Sequence, residues 1–228
     1  MAEPAPNPEL LPSLRRLVRG LSVLFWGLPF ALLSCAHVAT WEWLRAAGVV
    51  PAIAGTGMLF YGLGEMGRFQ RQERVWQQAL ERARIAAFIN FGLSPFVFWY
   101  NKMSSEVTFQ FAVGLLALSG IVFLFNLNLV LQRLAAMLPD ETLRADTRLF
   151  TALNLGVLLG VVAMAALYFA LREVDALPPS VAGVLELVRE ARGAVALGFV
   201  LPPVALTMSL LWKLKETVVA SVYQPPPP

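Results

Sequence analysis

A short arginine-rich stretch between two long apolar segments is the feature that most constrains this chain. Residues 67–84, GRFQRQERVWQQALERAR, contain five arginines and two glutamates. The flanking segments 46–66 and 85–100 contain a single charged residue, Glu65. Apolar segments of about 20 residues can cross a bilayer as helices, and an arginine-rich connection between two of them is typical of a cytoplasmic loop. The pattern predicts a membrane protein whose other segments take their direction from this loop.

The composition of the whole chain favours the same class of protein. Hydrophobic residues make up 57% of the 228 residues and charged residues only 14%, whereas soluble domains carry roughly a quarter charged residues. A net charge of +3 and a pI near 9.3 would also suit a nucleic-acid-binding protein. However, the basic residues lie at the ends of apolar segments, where they can contact anionic headgroups. We therefore expect a lipid bilayer around the chain and no nucleic acid as a partner.

Six apolar segments predict an all-α, polytopic membrane protein built as a bundle of six transmembrane helices. The predicted spans are residues 21–43, 46–66, 85–102, 107–131, 149–171 and 193–212. Two further apolar stripes with helical spacing, at residues 76–83 and 181–188, predict one or two interfacial amphipathic helices. The transmembrane domain is expected to cover residues 21–214, between an N-terminal tail (1–20) and a proline-rich C-terminal tail (215–228).

The distribution of basic residues predicts the orientation of this bundle. Most of the 18 Lys and Arg residues lie in the two tails and in the loops 66–84 and 132–148. These four segments share one side of a six-span chain, so the positive-inside rule places them, with both termini, in the cytoplasm. The preference for Arg over Lys, together with abundant Ala, Leu and Gly, favours a prokaryotic inner membrane.

An alternative for the first span is a cleaved signal peptide that ends in a loose lipobox at Cys35. Three arginines precede an apolar core, as they do in such signals. The apolar segment nevertheless continues beyond Cys35 and ends at Trp41 and Trp43, like an aromatic belt at a membrane interface. This extension favours a retained helix.

Few residues in the chain could support catalysis or hold a cofactor. One cysteine, Cys35, allows no intramolecular disulfide or cysteine-based metal cage, and one histidine, His37, allows no bis-histidine haem. The sequence also lacks an HExxH motif, a glycine-rich phosphate loop and paired intramembrane aspartates. We therefore expect no cofactor and no metal site, and the sequence favours a non-catalytic protein over an intramembrane enzyme.

Polar residues near the predicted cytoplasmic ends of the spans form one candidate site. Asn90 and Asn154 each lie six residues beyond an arginine, about 9 Å along a helix. The two Arg–Asn pairs are 64 residues apart in the sequence, which also suggests an internal repeat. The functional interpretation is a cytoplasm-facing polar vestibule that holds an anion or passes a proton. Its residues would be Glu65, Arg84, Asn90, Asn126, Asn128, Arg148 and Asn154. The alternative, which we favour, is that each asparagine hydrogen-bonds one helix to another, worth about 0.6 kcal/mol per bond.

Small residues at a spacing of four predict close packing of the last two spans. Gly156 and Gly160 lie on one face of span 149–171, and Ala194 and Gly198 on one face of span 193–212. The pattern does not say whether the docking helix belongs to this chain or to a partner.

Two functional hypotheses follow. The leading one is a non-catalytic accessory or scaffold component that binds other membrane subunits, or a second copy of itself, through its helix faces. The alternative is a small-solute or ion permease or channel whose inner mouth is the polar vestibule.

Overall fold

The computed structural model describes residues 10–37, 46–70, 72–103, 105–138, 141–172 and 192–223. Of these residues, 91% are helical and none lies in a strand. The helices in chain order are α1 (Leu10–His37), α2 (Val50–Met66), α3 (Arg74–Leu93), α4 (Phe96–Lys102), α5 (Val107–Met137), α6 (Glu141–Arg172) and α7 (Arg192–Tyr223). The prediction of an all-α fold is therefore confirmed.

Three helices in the described part of the chain are long and apolar enough to cross a membrane. They are Pro12–Cys35 in α1, Val107–Met137 in α5 and Glu141–Leu167 in α6. Helices of about 20 apolar residues match the thickness of the hydrocarbon layer, and their backbone groups are satisfied internally. The structure is thus a helical bundle compatible with a membrane protein.

Four helices extend beyond the predicted spans. α1 begins at Leu10, so the second half of the predicted N-terminal tail 1–20 is helical. α5 continues to Met137, and α6 begins at Glu141, so most of the predicted loop 132–148 is helical. α7 continues to Tyr223, well into the predicted tail 215–228. These extensions consist mostly of good helix formers and carry leucines that pack into the core. The predicted spans were shorter than the helices because hydropathy alone ends a span at the first charged residues.

The predicted interfacial helix at residues 76–83 and the predicted span 85–102 differ from the structure, because one helix, α3, covers both as far as Leu93. Its buried stripe of Trp76, Leu80 and Ala83 continues without a break to Asn90. The helix ends where Pro95, which has no N–H donor, begins the short helix α4. The second predicted interfacial helix, at 181–188, lies outside the described residues.

The helices pack as an alternating up-and-down bundle. α1 packs against α2 and α7, α2 against α3, α3 against α5, and α5 against α6 and α7, which also contact each other. One end of the bundle contains the α2–α3 turn and the N-terminal part of α1, and we call it the basic end. The opposite end, near the α4–α5 turn, is called the far end. α6 packs mainly against α5 and α7, and its apolar stretch is the least buried among the three helices able to cross a membrane.

Small residues bring α1 and α2 into backbone contact. A Cβ atom added at Gly55 would lie 2.7 Å from Cα of Ala31, and one added at Gly20 would lie 2.8 Å from the carbonyl oxygen of Gly62. Real Cβ atoms do not approach other atoms so closely, so these positions accept only glycine without a shift of the helices. This interface therefore explains two of the glycines of α2, Gly55 and Gly62.

The arginine-rich connection between α2 and α3 is a tight turn held by side chains of α3. The indole N–H of Trp76 donates to the carbonyl of Phe69 at 3.1 Å, and the amide of Gln77 donates to the carbonyl of Gly67 at 3.2 Å. Trp76 is fully buried. These bonds fix the direction in which α3 leaves the turn and hence the position of Arg84, about two turns further along.

Candidate functional site

The seven residues of the predicted vestibule are distributed over several places in the bundle. Asn128 and Asn154 share one buried cluster, while Glu65 and Arg84 line a pocket between α2 and α3. Asn126 lies at a shallow pocket between α3 and α5. No hydrogen bond among the described residues joins these groups. The structure therefore brings together two pairs of the predicted residues and separates the pairs from each other.

The buried cluster ties three helices together through the hydroxyl of Thr207 on α7. The side-chain amides of Asn128 (α5) and Asn154 (α6) donate to this hydroxyl at 2.9 and 2.8 Å, and the hydroxyl donates to the carbonyl of Pro203 at 2.7 Å. All three side chains are fully buried. A hydroxyl has one proton and two lone pairs, so Thr207 is completely satisfied. The cluster contains no ionisable group, and its chemistry is that of hydrogen bonding between helices.

The two amides are oriented by additional acceptors. Asn128 also donates to the carbonyl of Leu124 at 2.8 Å, and Asn154 also donates to the carbonyl of Pro203 at 3.1 Å. Their Oδ1 atoms therefore point away from Thr207, and both are buried without a partner in the described part of the chain. The hydroxyls of Thr147 and Thr151, which lie on the same face of α6 as Asn154, are buried in the same way.

The pocket between α2 and α3 brings together three charged residues at the basic end. Its volume is about 390 Å³, and it is lined by Phe60, Tyr61, Gly64, Glu65, Gly67, Arg68 and Arg84. The carboxylate of Glu65 is almost completely buried and pairs with Arg68 at 3.2 Å. Arg84 lies over the ring of Phe60, with 5.7 Å from its Cζ atom to the ring centroid. The arrangement presents fixed cations beside aromatic rings.

The three remaining vestibule residues lie apart from both groups. Asn126 donates to the carbonyl of Val122 in its own helix at 2.7 Å, so this bond does not join two helices. Asn90 is buried on α3, and its Oδ1 has no partner among the described residues. Arg148 is exposed on α6. Arg84 and Arg148 each precede an asparagine by six residues in the sequence, but their surroundings in the structure differ.

The predicted packing glycines of the last two spans face open space. A Cβ atom added at Gly156, Gly160 or Gly198 would meet no atom within 4 Å. The side chain of Ala194 lies outside the described residues. No described helix of this chain docks on the Gly156–Gly160 face, so a docking helix there would have to come from elsewhere.

Several residues of these sites were not predicted from the sequence. Thr207 resembles any threonine that bonds its own helix, and only its pairing with two asparagines makes it a centre of the cluster. Tyr61 lies three residues before Gly64 and four before Glu65, a helical spacing that could have placed it on the same face. No group of His, Cys, Asp or Glu able to hold a metal ion occurs among the described residues.

Comparisons with known proteins give this chain no relative. No family model matches the sequence, and neither the curated proteins nor the solved structures compared with it include a match. The function is therefore argued from the residues and their geometry alone.

Proposed function

We propose that the protein is a non-catalytic subunit of the prokaryotic inner membrane that crosses the bilayer six times and binds another membrane protein through α6. Both termini and the basic end lie in the cytoplasm. The partner contributes a transmembrane helix that packs on the face of α6 containing Ala152, Gly156 and Gly160.

The observation that carries this proposal is the exposure of α6. Only 17% of its most apolar stretch is buried in the fold, against 33% in α5 and 44% in α1. Ala152, Gly156 and Gly160 are exposed at a spacing of four residues. Lipid can cover exposed leucines, but a strip of small residues exposes backbone that a neighbouring helix can approach closely. The α1–α2 interface of this chain uses small residues in the same way.

The six-span arrangement is supported by the direction of the helices. Antiparallel contacts join α1 to α2, α5 to α6 and α6 to α7, so consecutive long helices alternate in direction as successive spans would. α2 has 17 residues, about 26 Å at 1.5 Å per residue, which is slightly less than the 30 Å hydrocarbon layer. A shorter span is accommodated by local thinning of the bilayer at modest cost.

The permease hypothesis has less support from the geometry. Its predicted lining residues fall into separate groups, and the Asn128–Asn154–Thr207 cluster is fully buried between helices. Polar residues that serve transport usually face a water-filled cavity or include an ionisable group. We therefore retain the subunit function as the proposal.

Purification from native membranes in mild detergent tests this function. The wild-type chain should purify in a stoichiometric complex larger than its own 25.0 kDa. Gly156→Leu and Gly160→Leu should reduce the yield of that complex, because a bulky side chain separates the two helices. Gly120→Leu is the matched control, since Gly120 is a helical glycine on α5 that also faces open space.

The complex should therefore survive Gly120→Leu and fail with the two α6 variants. A wild-type chain that purifies as a monomer would contradict the proposal, as would equal complex yields for all three variants. A particle that contains only copies of this chain would assign the α6 face to homo-oligomerisation instead of to a different subunit.

A further inference from the structure

The pocket between α2 and α3 combines three cations with a single carboxylate. Arg68 and Arg84 line it, and Arg19 of α1 lies over the ring of Tyr61, with 5.8 Å from its Cζ atom to the ring centroid. Glu65 is the one carboxylate in the lining. The pocket and its rim therefore keep an excess of positive charge even with the Glu65–Arg68 pair formed.

The ion pair holds Arg68 in place without using all its donors. The contact joins one guanidinium nitrogen to one oxygen of Glu65 at 3.2 Å. A guanidinium has five N–H donors in a planar fork that matches carboxylate and phosphate geometry, so further donors remain for a ligand. Arg84 has no carboxylate within ion-pair distance among the described residues. The two guanidinium groups thus offer hydrogen bonds to an anion between them.

An apolar surface adjoins the cations on the far-end side of the pocket. The rings of Phe60 and Phe88 lie 5.9 Å apart, and Phe88 is 61% exposed. A Cβ atom added at Gly57, one turn beyond Phe60, would lie 3.4 Å from the exposed ring of Phe91. This surface runs along the α2–α3 interface away from the basic end. A free inorganic anion would gain nothing from it, whereas a hydrocarbon chain would be covered by it.

We propose that this pocket binds the phosphate group of an anionic phospholipid, with an acyl chain along Phe60 and Phe88. Basic pockets between transmembrane helices on the cytoplasmic side are the general setting for such headgroups. Arg68 and Arg84 bind the phosphate oxygens, and Arg19 adds positive charge at the rim. Gly64 leaves room for the headgroup, because a Cβ atom there would meet no atom within 4 Å.

The test is a lipid titration of the purified full chain in a neutral detergent, followed by thermal unfolding. The ligand is dioctanoyl phosphatidylglycerol. Dioctanoyl phosphatidylcholine controls for the acyl chains, and inorganic phosphate at matched ionic strength controls for the anion alone. Only phosphatidylglycerol should raise the unfolding temperature of the wild-type chain in a saturable way.

Two variants and two matched controls place the effect in this pocket. Arg84→Gln should weaken the apparent affinity about tenfold or more, because it removes a charged hydrogen bond. Gly64→Leu should weaken the affinity by a similar factor, because the leucine side chain fills the headgroup space. Arg82→Gln and Gly120→Leu should bind like the wild type, because Arg82 is an exposed arginine of the same helix outside this pocket and Gly120 faces open space elsewhere. Each variant is compared with its own unfolding temperature without lipid.

The proposal is overturned if phosphatidylglycerol does not stabilise the wild-type chain, or if Arg82→Gln weakens binding as much as Arg84→Gln. Binding by Gly64→Leu that equals the wild type would also overturn it. Equal stabilisation by inorganic phosphate would mean that the pocket binds a free anion, and would overturn the assignment to a phospholipid.

Discussion

Thr207 is the residue at which three helices meet, because its hydroxyl bonds to side chains of α5 and α6 and to the backbone of its own helix α7. It accepts hydrogen bonds from Asn128 and Asn154 and donates one to Pro203. The two asparagines would otherwise leave amide donors buried in apolar surroundings, which costs free energy for each unpaired group. The cluster therefore fixes the rotation of α5 and α6 relative to α7.

Replacing Thr207 with valine should destabilise the bundle by about 1–3 kcal/mol, because two buried amides lose an acceptor while the side-chain volume is kept. Thr217→Val is the control: Thr217 lies on the same helix and donates to the carbonyl four residues before it, as Thr207 does, but no asparagine donates to it in the described part of the chain. Thermal unfolding in detergent should show a clearly lower midpoint for Thr207→Val alone. Equal midpoints for the two variants would contradict a role for the cluster in joining helices.

The sequence could identify the asparagines but not their partner. Asn128 and Asn154 stand out because they are polar residues in apolar segments. Thr207 does not, because its pairing depends on the rotation of three helices that lie up to 79 residues apart in the chain. The same limit applies to Arg84 and Arg148. Each lies six residues before an asparagine in the sequence, but the two residues belong to helices with different neighbours.

The interface between α1 and α2 is the closest packing of two elements in the described structure. Gly20, Gly55 and Gly62 have no space for a Cβ atom, whereas Gly64, on the same helix as the last two, has open space. The glycine content of α2 predicted a close approach of helices. Which glycines face the neighbour could not be predicted, because the five glycines between residues 48 and 64 leave several faces open.

This contrast within α2 gives a prediction about helix packing. Gly55→Ala should lower stability by about 1–3 kcal/mol, since the added methyl group meets the backbone of Ala31 and forces the helices apart. Gly64→Ala should be neutral or stabilising by up to about 1 kcal/mol, because alanine has the higher helix propensity. The measurement is the unfolding midpoint of both variants under identical conditions. A midpoint for Gly55→Ala at or above that of Gly64→Ala would contradict the close contact.

The helix α3 shows why element boundaries were harder to predict than elements. The arginines of residues 74–84 indicated a surface segment, and the uncharged residues after them indicated a span. The spacing of Trp76, Leu80, Ala83 and Ala87 nevertheless continues one buried face across that boundary. Burial of this face against the rest of the core outweighs the change in composition, and the exposed Arg74 and Arg82 lie outside this face.

At the scale of the whole molecule, the core is concentrated towards the basic end. Leu17, Leu63, Leu80, Leu131 and Leu214, all near that end, belong to one buried cluster. At the far end, Val107 and Phe111 of α5 are 74% and 73% exposed. Apolar side chains exposed in such numbers require cover, and a hydrocarbon layer provides it along the length of the bundle. Such a layer would place the arginine-rich turn at a membrane surface.

The class of the protein is the part most accessible from sequence. Apolar length and charge distribution act on the whole chain and do not depend on helix rotation, so they predicted a helical membrane protein. The number of spans is harder to predict, because it depends on shorter segments. α3 and α4 together form the least regular of these segments, since Pro95 lies between the two helices.

Cysteine accessibility on either side of α3 and α4 tests the six-span topology most directly. In a Cys35→Ser background, Gln72→Cys and Ser105→Cys each place one thiol at an exposed turn position. A membrane-impermeant maleimide applied to intact cells should label Ser105→Cys at once, and Gln72→Cys only after the cells are permeabilised. Labelling of Gln72→Cys in intact cells, or equal labelling of both positions, would contradict a chain that crosses the membrane between them with its basic end in the cytoplasm.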